Sequence, residues 1–352
     1  MTVQELGFQT KEHLRTRRYE PQPADEVLYW FSSSGSTGDP VVYPWTAADQ
    51  QIADRTVARA HARLPMMRGA TGFVIAPTGL PGMWHHMDRQ LRQLGLATVF
   101  PGLSPDRILA LMGMLRPRLL ISLPLVLSRL GEVHAMAGGP PFENGFLFTG
   151  GDVLSHARRR RIERVWRAPL RNFYGLSEVF GPLAGESEAG DGLEWNADEV
   201  QIEILDPRTL RQVQPGETGI AVLTTTWDRP ASLDRYWTGD CFRLLRWSSL
   251  DRPVFEMRGR EQVRLPGSKP EWFPVDVDDA LLSDPAAGNE WRIAEQAAEL
   301  LLTVETNALD AIDRQAVTRV ESMFDRRIRW QAVPHGTLDR SVPKLAVAPV
   351  PV

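Results

Sequence analysis

Cysteine is almost absent: Cys241 is the single one in 352 residues. One thiol closes no disulfide within the chain and builds no multi-cysteine zinc site, so a disulfide-stapled secreted scaffold is excluded and a reducing cytoplasm is expected. Long apolar runs are missing too. The stretch LLISLPLVL at 119–127 is interrupted and shorter than the roughly 20 residues that a membrane-spanning helix needs. The opening MTVQELGFQTKEHLRTRRYE lacks the apolar centre of a secretory leader. Nor does one sign of charge dominate. A net charge of -4 gives no general electrostatic reason to bind nucleic acid. The one dense patch, Arg158–Arg161 in ARRRRIERVWR, reads as the solvated face of a helix rather than a polyanion site. No internal repeat or low-complexity tract interrupts the chain. What is present is a soluble globular composition, 43% hydrophobic and 24% charged, long enough for one large domain and a small one.

Short apolar runs that end at Gly or Pro alternate with amphipathic segments through the first half. TGFVIAP (71–77), ATVFPG (97–102), LLISLP (119–124) and GFLFTGG (145–151) read as buried strands. Helical patterns lie between them at 47–64, 87–95, 105–116 and 155–167. This alternation predicts a layered α/β domain with a largely parallel sheet. From about residue 199 the texture changes to short alternating strands separated by turns (DPRT, QPGE), a β-rich subdomain. After Arg258-Gly259-Arg260 it changes again: strand at 298–305, helix at 308–324, strand at 328–333, the pattern of a small α+β lid. The partition is therefore 1–257 as the large domain, 258–262 as a hinge, and 263–352 as the lid.

Three short motifs carry chemistry. FSSSGSTGDP (31–40) follows EVLYW, which reads as a strand. Its hydroxyls at Ser32, Ser33, Ser34, Ser36 and Thr37, with backbone freedom at Gly35 and Gly38, are what a phosphate loop needs. A Ser/Gly run of this kind also makes a flexible turn, and the spacing is not that of a GxxxxGK[ST] loop. NFYGLSE (172–178) offers a flat ring at Tyr174, close backbone approach at Gly175, and a carboxylate, Glu178, of the kind that holds Mg²⁺. In RYWTGD (235–240), Asp240 follows a glycine turn. It is placed to accept from a ribose diol or to serve simply as a turn aspartate.

Taken in order across the chain, the Ser/Gly loop, YGLSE, YWTGD, Gly-Arg and a lysine in GTLDRSVPK resemble the adenylate-forming superfamily, and within it the phenylacetate–CoA ligase-like branch. ELGFQTKEHLR (5–15), GGD (150–152), DPRTLRQVQPGETGIAVLTT (206–225) and WFPVDVDDALL (272–282) extend the similarity over about residues 4–346. The resemblance implies that Ser33–Gly38 wraps the β- and γ-phosphates of ATP and that Tyr174 lies against adenine. It puts Ser177 and Glu178 near the α-phosphate and Mg²⁺, Asp240 on the ribose, and Arg260 near the ribose from the hinge. Lys344 falls at the catalytic lysine that bridges carboxylate and α-phosphate. Such a cation suits the chemistry, because a carboxylate attacking an α-phosphorus sets anion against anion. Trp84, His85 and His86 fall where relatives line the acyl site, with Gly150, Gly151 and Phe180 near it; an aromatic lining suits an aryl or arylacetic acid. His85-His86 lacks the third ligand of a metal site.

Four departures from the family pattern matter. Asp39 stands where many relatives have lysine, which predicts weaker ATP binding. About sixty residues that usually precede ELGFQTKEHLR are missing, so apolar surface is expected to be covered by another subunit, as in a homodimer. Ser268, Lys269 and Glu271 replace Arg, Gly and Asn in the loop that the pantetheine arm approaches. No cysteine turn precedes Gly-Arg, so no structural zinc is expected. The resemblance implies a cytoplasmic ligase that converts a carboxylic acid and Mg·ATP into an acyl-adenylate and passes the acyl group to CoA. Transfer to an amine or a carrier-protein thiol is the alternative that the 268–271 loop raises, and a nucleotide-binding homologue without turnover is a third. Neither nucleic acid nor membrane is an expected partner.

Overall fold

The computed structural model describes residues 5–17, 27–32, 41–61, 68–76, 81–142, 144–263, 265, 267–269, 271–296 and 299–339. The chain divides into two compact units, 1–121 with 145–151 and 171–257, and 122–144 with 152–170 and 258–352. The first unit opens with α1 (Lys11–Thr16) and the antiparallel pair β1 (Val27–Ser32) and β2 (Val42–Thr46). Then follow α2 (Ala47–His61), β3 (Thr71–Ile75), α3 (Pro81–Gln93), β4 (Ala97–Val99), α4 (Pro105–Leu115), β5 (Leu119–Ser122) and β6 (Phe146–Gly150). The remainder is strand: β7 (Leu170–Leu176), β8 (Phe180–Glu186), β9 (Leu193–Trp195), β10 (Val200–Leu205), β11 (Thr218–Thr225), β12 (Tyr236–Trp247) and β13 (Pro253–Arg260).

The strands expected at 71–77, 97–102, 119–124 and 145–151 are β3, β4, β5 and β6. They lie in one 11-stranded sheet of order β10-β11-β12-β13-β9-β8-β7-β6-β5-β3-β4. The sheet is mixed: β3 and β4 pair in parallel, whereas β7–β8–β9–β13 and β10–β11–β12 pair antiparallel. The β-rich segment that the sequence sets apart as a subdomain instead continues this sheet, because successive short strands joined by tight turns pair most simply with their neighbours. On the other flank α3 lays Met87 and Leu91, one helical stripe, with Leu94 just past its end, against Val74, Ile121 and Phe148. A second cluster gathers Phe31, Tyr43 and Trp45 with Tyr174, Phe180, Phe242 and Phe255. The candidate site lies along this second cluster.

The second unit contains α5 (Pro124–Met136), α6 (His156–Trp166), α7 (Pro274–Leu282), α8 (Arg314–Ser322) and a three-stranded sheet. In that sheet β15 (Glu299–Glu305) pairs antiparallel with β14 (Trp291–Gln296) and parallel with β16 (Ile328–Val333). The strand–helix–strand pattern read at 298–333 is β15–α8–β16, with α8 starting only at Arg314 because Asp313 caps it by accepting from the Gln315 N–H.

The arginine run on α6 is not a solvated face. Arg158 is 2% exposed and clamps Asp278 of α7, which is 1% exposed and also accepts from the Ser155 hydroxyl and the Trp291 indole. Arg161 donates to the carbonyls of Leu282, Ala287 and Asp284 at the end of α7, and burial lowers its pKa to about 10. Helix C-termini gather unpaired carbonyls, and guanidinium groups satisfy them. On α5, Arg129 holds the fully buried Glu290 at 2.6 Å.

Candidate active site

The turn between β7 and β8 carries the YGLSE motif. β7 and β8 approach so closely that a Cβ on Gly175 would lie 2.7 Å from the Gly181 backbone, so only glycine fits there. Tyr174 is buried, with its ring edge-on to Phe242 at 4.8 Å and its hydroxyl donating to the Asp240 carboxylate at 2.7 Å. Asp240 is fully buried on β12, just after Gly239 in the left-handed region (φ 73°), and its N–H donates to the Thr238 hydroxyl. Tyr174 and Asp240, 66 residues apart, thus join YGLSE to YWTGD through a hydrogen bond.

Past Gly175, the Ser177 carbonyl accepts from the Tyr43 hydroxyl. Glu178 is buried at 6% exposure, receives a hydrogen bond from Tyr236 at 3.4 Å, and faces the Lys11 ammonium at 4.0 Å. The α1 segment that brings Lys11 here is fastened to β12: Trp237 donates to the Gln9 carbonyl, and the Phe8 ring sits edge-on to Trp237. Tyr43, Tyr236 and Lys11 were not read as site residues. A signal existed for Lys11, since of the 40 basic side chains only Lys11, Lys269 and Lys344 are lysine. Tyr236 lies inside the YWTGD motif, whereas no sequence signal points to Tyr43. A single buried carboxylate suits Mg²⁺, which takes one or two protein carboxylates and fills its octahedron with phosphate and water oxygens. Among the described residues no group of three or more His, Cys, Asp or Glu is arranged to hold a metal.

An aromatic cluster adjoins this turn. Trp45 stands 4.7 Å from the His86 ring and 6.3 Å from Phe180, and Phe31 lies 5.5 Å from His86. His85 reaches Gln50 with Nε2 at 3.2 Å and stacks obliquely on Tyr29 at 4.3 Å; its pKa is lowered, first by burial and then by Arg89. Gly150 ends β6 under the Phe173 ring, where a Cβ would sit 2.6 Å from the ring carbons, and Gly151 follows with φ 76°. Of the expected acyl-pocket residues, the structure gathers His85 and Phe180 around Trp45 and Phe31. The Trp84 side chain lies outside the described residues, as do Ser33, Ser34, Gly35, Ser36, Thr37, Gly38, Asp39 and Lys344. Arg260 belongs to the second unit and is exposed at the end of β13. Also in that unit, Lys269 donates its ammonium to the Ser322 carbonyl at the end of α8 at 3.0 Å.

The fold and the Tyr174–Asp240–Glu178 arrangement define a class. The chain belongs to the AMP-binding enzyme family, whose model matches residues 2–226. It is similar to the phenylacetate–coenzyme A ligase of Thermus thermophilus, with 30% identity over 227 residues, 62% of this chain and 50% of that one. The Escherichia coli phenylacetate–coenzyme A ligase is 29% identical over 273 residues, 74% of this chain and 61% of that one. The chain thus spans about half to three-fifths of the length of these curated relatives. Among solved structures, 2-hydroxyisobutyryl-CoA ligase with an acyl-AMP matches with a TM-score of 0.79 at 20% identity, covering 96% of this chain and 79% of that one. An anthranilate CoA ligase with anthranoyl-AMP matches at 0.65 and 14% identity, over 92% and 67%. These two likenesses establish the fold, an α/β architecture with a large mixed sheet.

Proposed function

We propose that the chain activates a carboxylic acid, aryl or arylacetic, with Mg·ATP as an acyl-adenylate and then delivers the acyl group to CoA. The observation that carries this reading is the buried constellation of Tyr174, Asp240 and Glu178 within an AMP-binding family chain. Asp240 would take the ribose diol, Tyr174 and Gly175 the adenine side, and Ser33, Ser34, Gly35, Ser36, Thr37 and Gly38 the terminal phosphates. Glu178 would hold the Mg²⁺, which neutralises phosphate charge when bound. Lys344 would bridge the carboxylate and the α-phosphate, with Ser177 beside it and Arg260 reaching the ribose from a hinge at 258–262. His85, Trp84, Gly150, Gly151 and Phe180 would frame the acid. The protein's share of the chemistry is alignment, exclusion of water from the mixed anhydride, and stabilisation of the developing charge. A homodimer and a cytoplasmic location belong to the same proposal.

The Lys269–Ser322 contact favours a second reading of the acceptor step. A lysine tied to α8 stands where the family keeps glycine for the pantetheine arm, so an amine or a carrier-protein thiol is the competing acceptor.

Carboxylate-dependent ATP–pyrophosphate exchange over a panel of aryl acids tests the first half-reaction, and silence across the panel overturns it. Lys344→Ala abolishes exchange while nucleotide binding persists. Exchange without thioester on adding CoA transfers the case to the competing acceptor.

A further inference from the structure

α3 presents one helical face to the YGLSE turn. Gln90 donates to the Gly181 carbonyl at 2.6 Å, and His86, four residues earlier and therefore one turn up the same face, packs its ring on Trp45 and Phe31. His86 is 8% exposed, and its Nε2 is buried with no hydrogen-bond partner among the described residues. Its neighbour His85 spends its own Nε2 on Gln50. A ring nitrogen left unpaired among aromatic rings is costly to fold, and native proteins rarely keep one without a ligand, a water or a catalytic use for it. Of the rings around it, Trp45 also borders Phe180, two residues past Glu178.

Resting on the function proposed above, we infer that His86 Nε2 is the specificity contact of the acyl site, and that the acid carries an uncharged hydroxyl which hydrogen-bonds to it. The class follows from the chemistry of the nitrogen. Burial drives the His86 pKa down to about 3, with His85 and Arg89 adding to the effect, so the imidazole is neutral at pH 7. A neutral imidazole gives a second carboxylate or a phenolate no counter-charge, and an anion would lose its hydration on entering an aromatic enclosure. A hydroxyl both donates and accepts, so it pairs with Nε2 in either tautomer, and the rest of an aryl ring finds Trp45 and Phe31 to pack on. His86 forms no bond to the reacting carboxylate. Its role is to choose the acid.

The test compares exchange rates for benzoic and phenylacetic acids with each of their monohydroxylated forms, in the wild type, His86→Phe and His86→Gln. The wild type favours one hydroxylated acid by about tenfold or more in kcat/KM. His86→Phe loses that preference because the hydroxylated acid slows more than its parent, and His86→Gln, which keeps a donor and an acceptor, retains most of it. In histidine-isotope-labelled wild type, the His86 ring nitrogen signals shift with the favoured acid and not with its parent, a readout that does not depend on the variants folding. Equal use of hydroxylated and parent acids, a preference that survives His86→Phe, or unmoved His86 signals each overturn the inference while the ligase reading stands. Silence with every acid, parent acids included, overturns the ligase reading itself and the inference with it.

Discussion

Tyr174 gives its phenolic hydrogen to Asp240 across 2.7 Å of buried space, tying the strand that carries YGLSE to the strand that carries YWTGD. The bond ties two motifs far apart in the chain into one corner and holds the Asp240 carboxylate in a fixed orientation.

Tyr174→Phe keeps the ring packing on Phe242 and removes only this donor. A buried carboxylate deprived of a donor costs about 1–3 kcal/mol, so the chemical-denaturation midpoint falls. Nucleotide affinity measured by calorimetry falls with it, because the proposed ribose acceptor is no longer held in place.

Much of the large sheet was legible because its strands are punctuated. The apolar runs at β3, β4, β5 and β6 each end in Gly or Pro, and chain direction reverses there. α5 was not legible: Leu123 alone separates it from β5, so LLISLPLVL carries no periodicity to tell strand from helix. The motif order located Tyr174, Glu178 and Asp240. Their mutual bonds were out of reach, since β7 and β12 are not neighbours in the sheet and no local pattern encodes a contact between them. The RRRR run misled for a related reason. Charge patterning reports what neighbours on a helix do, whereas Arg158 answers to Asp278, 120 residues on.

That pair yields the second prediction. Asp278→Asn leaves Arg158 charged in a site that is almost wholly closed to water, and costs about 3–5 kcal/mol in urea unfolding. Combining Asp278→Asn with Arg158→Met restores a large part of the loss, since neither partner is then left ionised and alone. A double variant as unstable as the two single losses added together would contradict this coupling.

The third concerns pH. His86 is neutral in the folded chain down to about pH 3, whereas in the unfolded chain it takes a proton near its ordinary 6.5. Between those values the unfolded state holds more protons, so this residue's contribution is intact above about pH 6.5 and drains away as pH falls toward 3. The slope approaches about 1.4 kcal/mol per pH unit. Unfolding free energies of wild type and His86→Phe, measured from pH 7 to pH 5, diverge accordingly: the wild type declines more steeply. Parallel curves would mean that His86 is not desolvated.

Helices α5 and α6 are translated long before the segments that bury them. At a synthesis rate of about 5–20 residues per second, the 120 residues between Arg158 and Asp278 take roughly 6 to 24 s to emerge. Throughout that interval Arg158 has no carboxylate to close on, and Ala157 and Ile162 have no completed core. The second unit therefore matures only when the chain is nearly finished, and a chain cut at 258–262 leaves on its N-terminal side two helices made for a partner that never arrives.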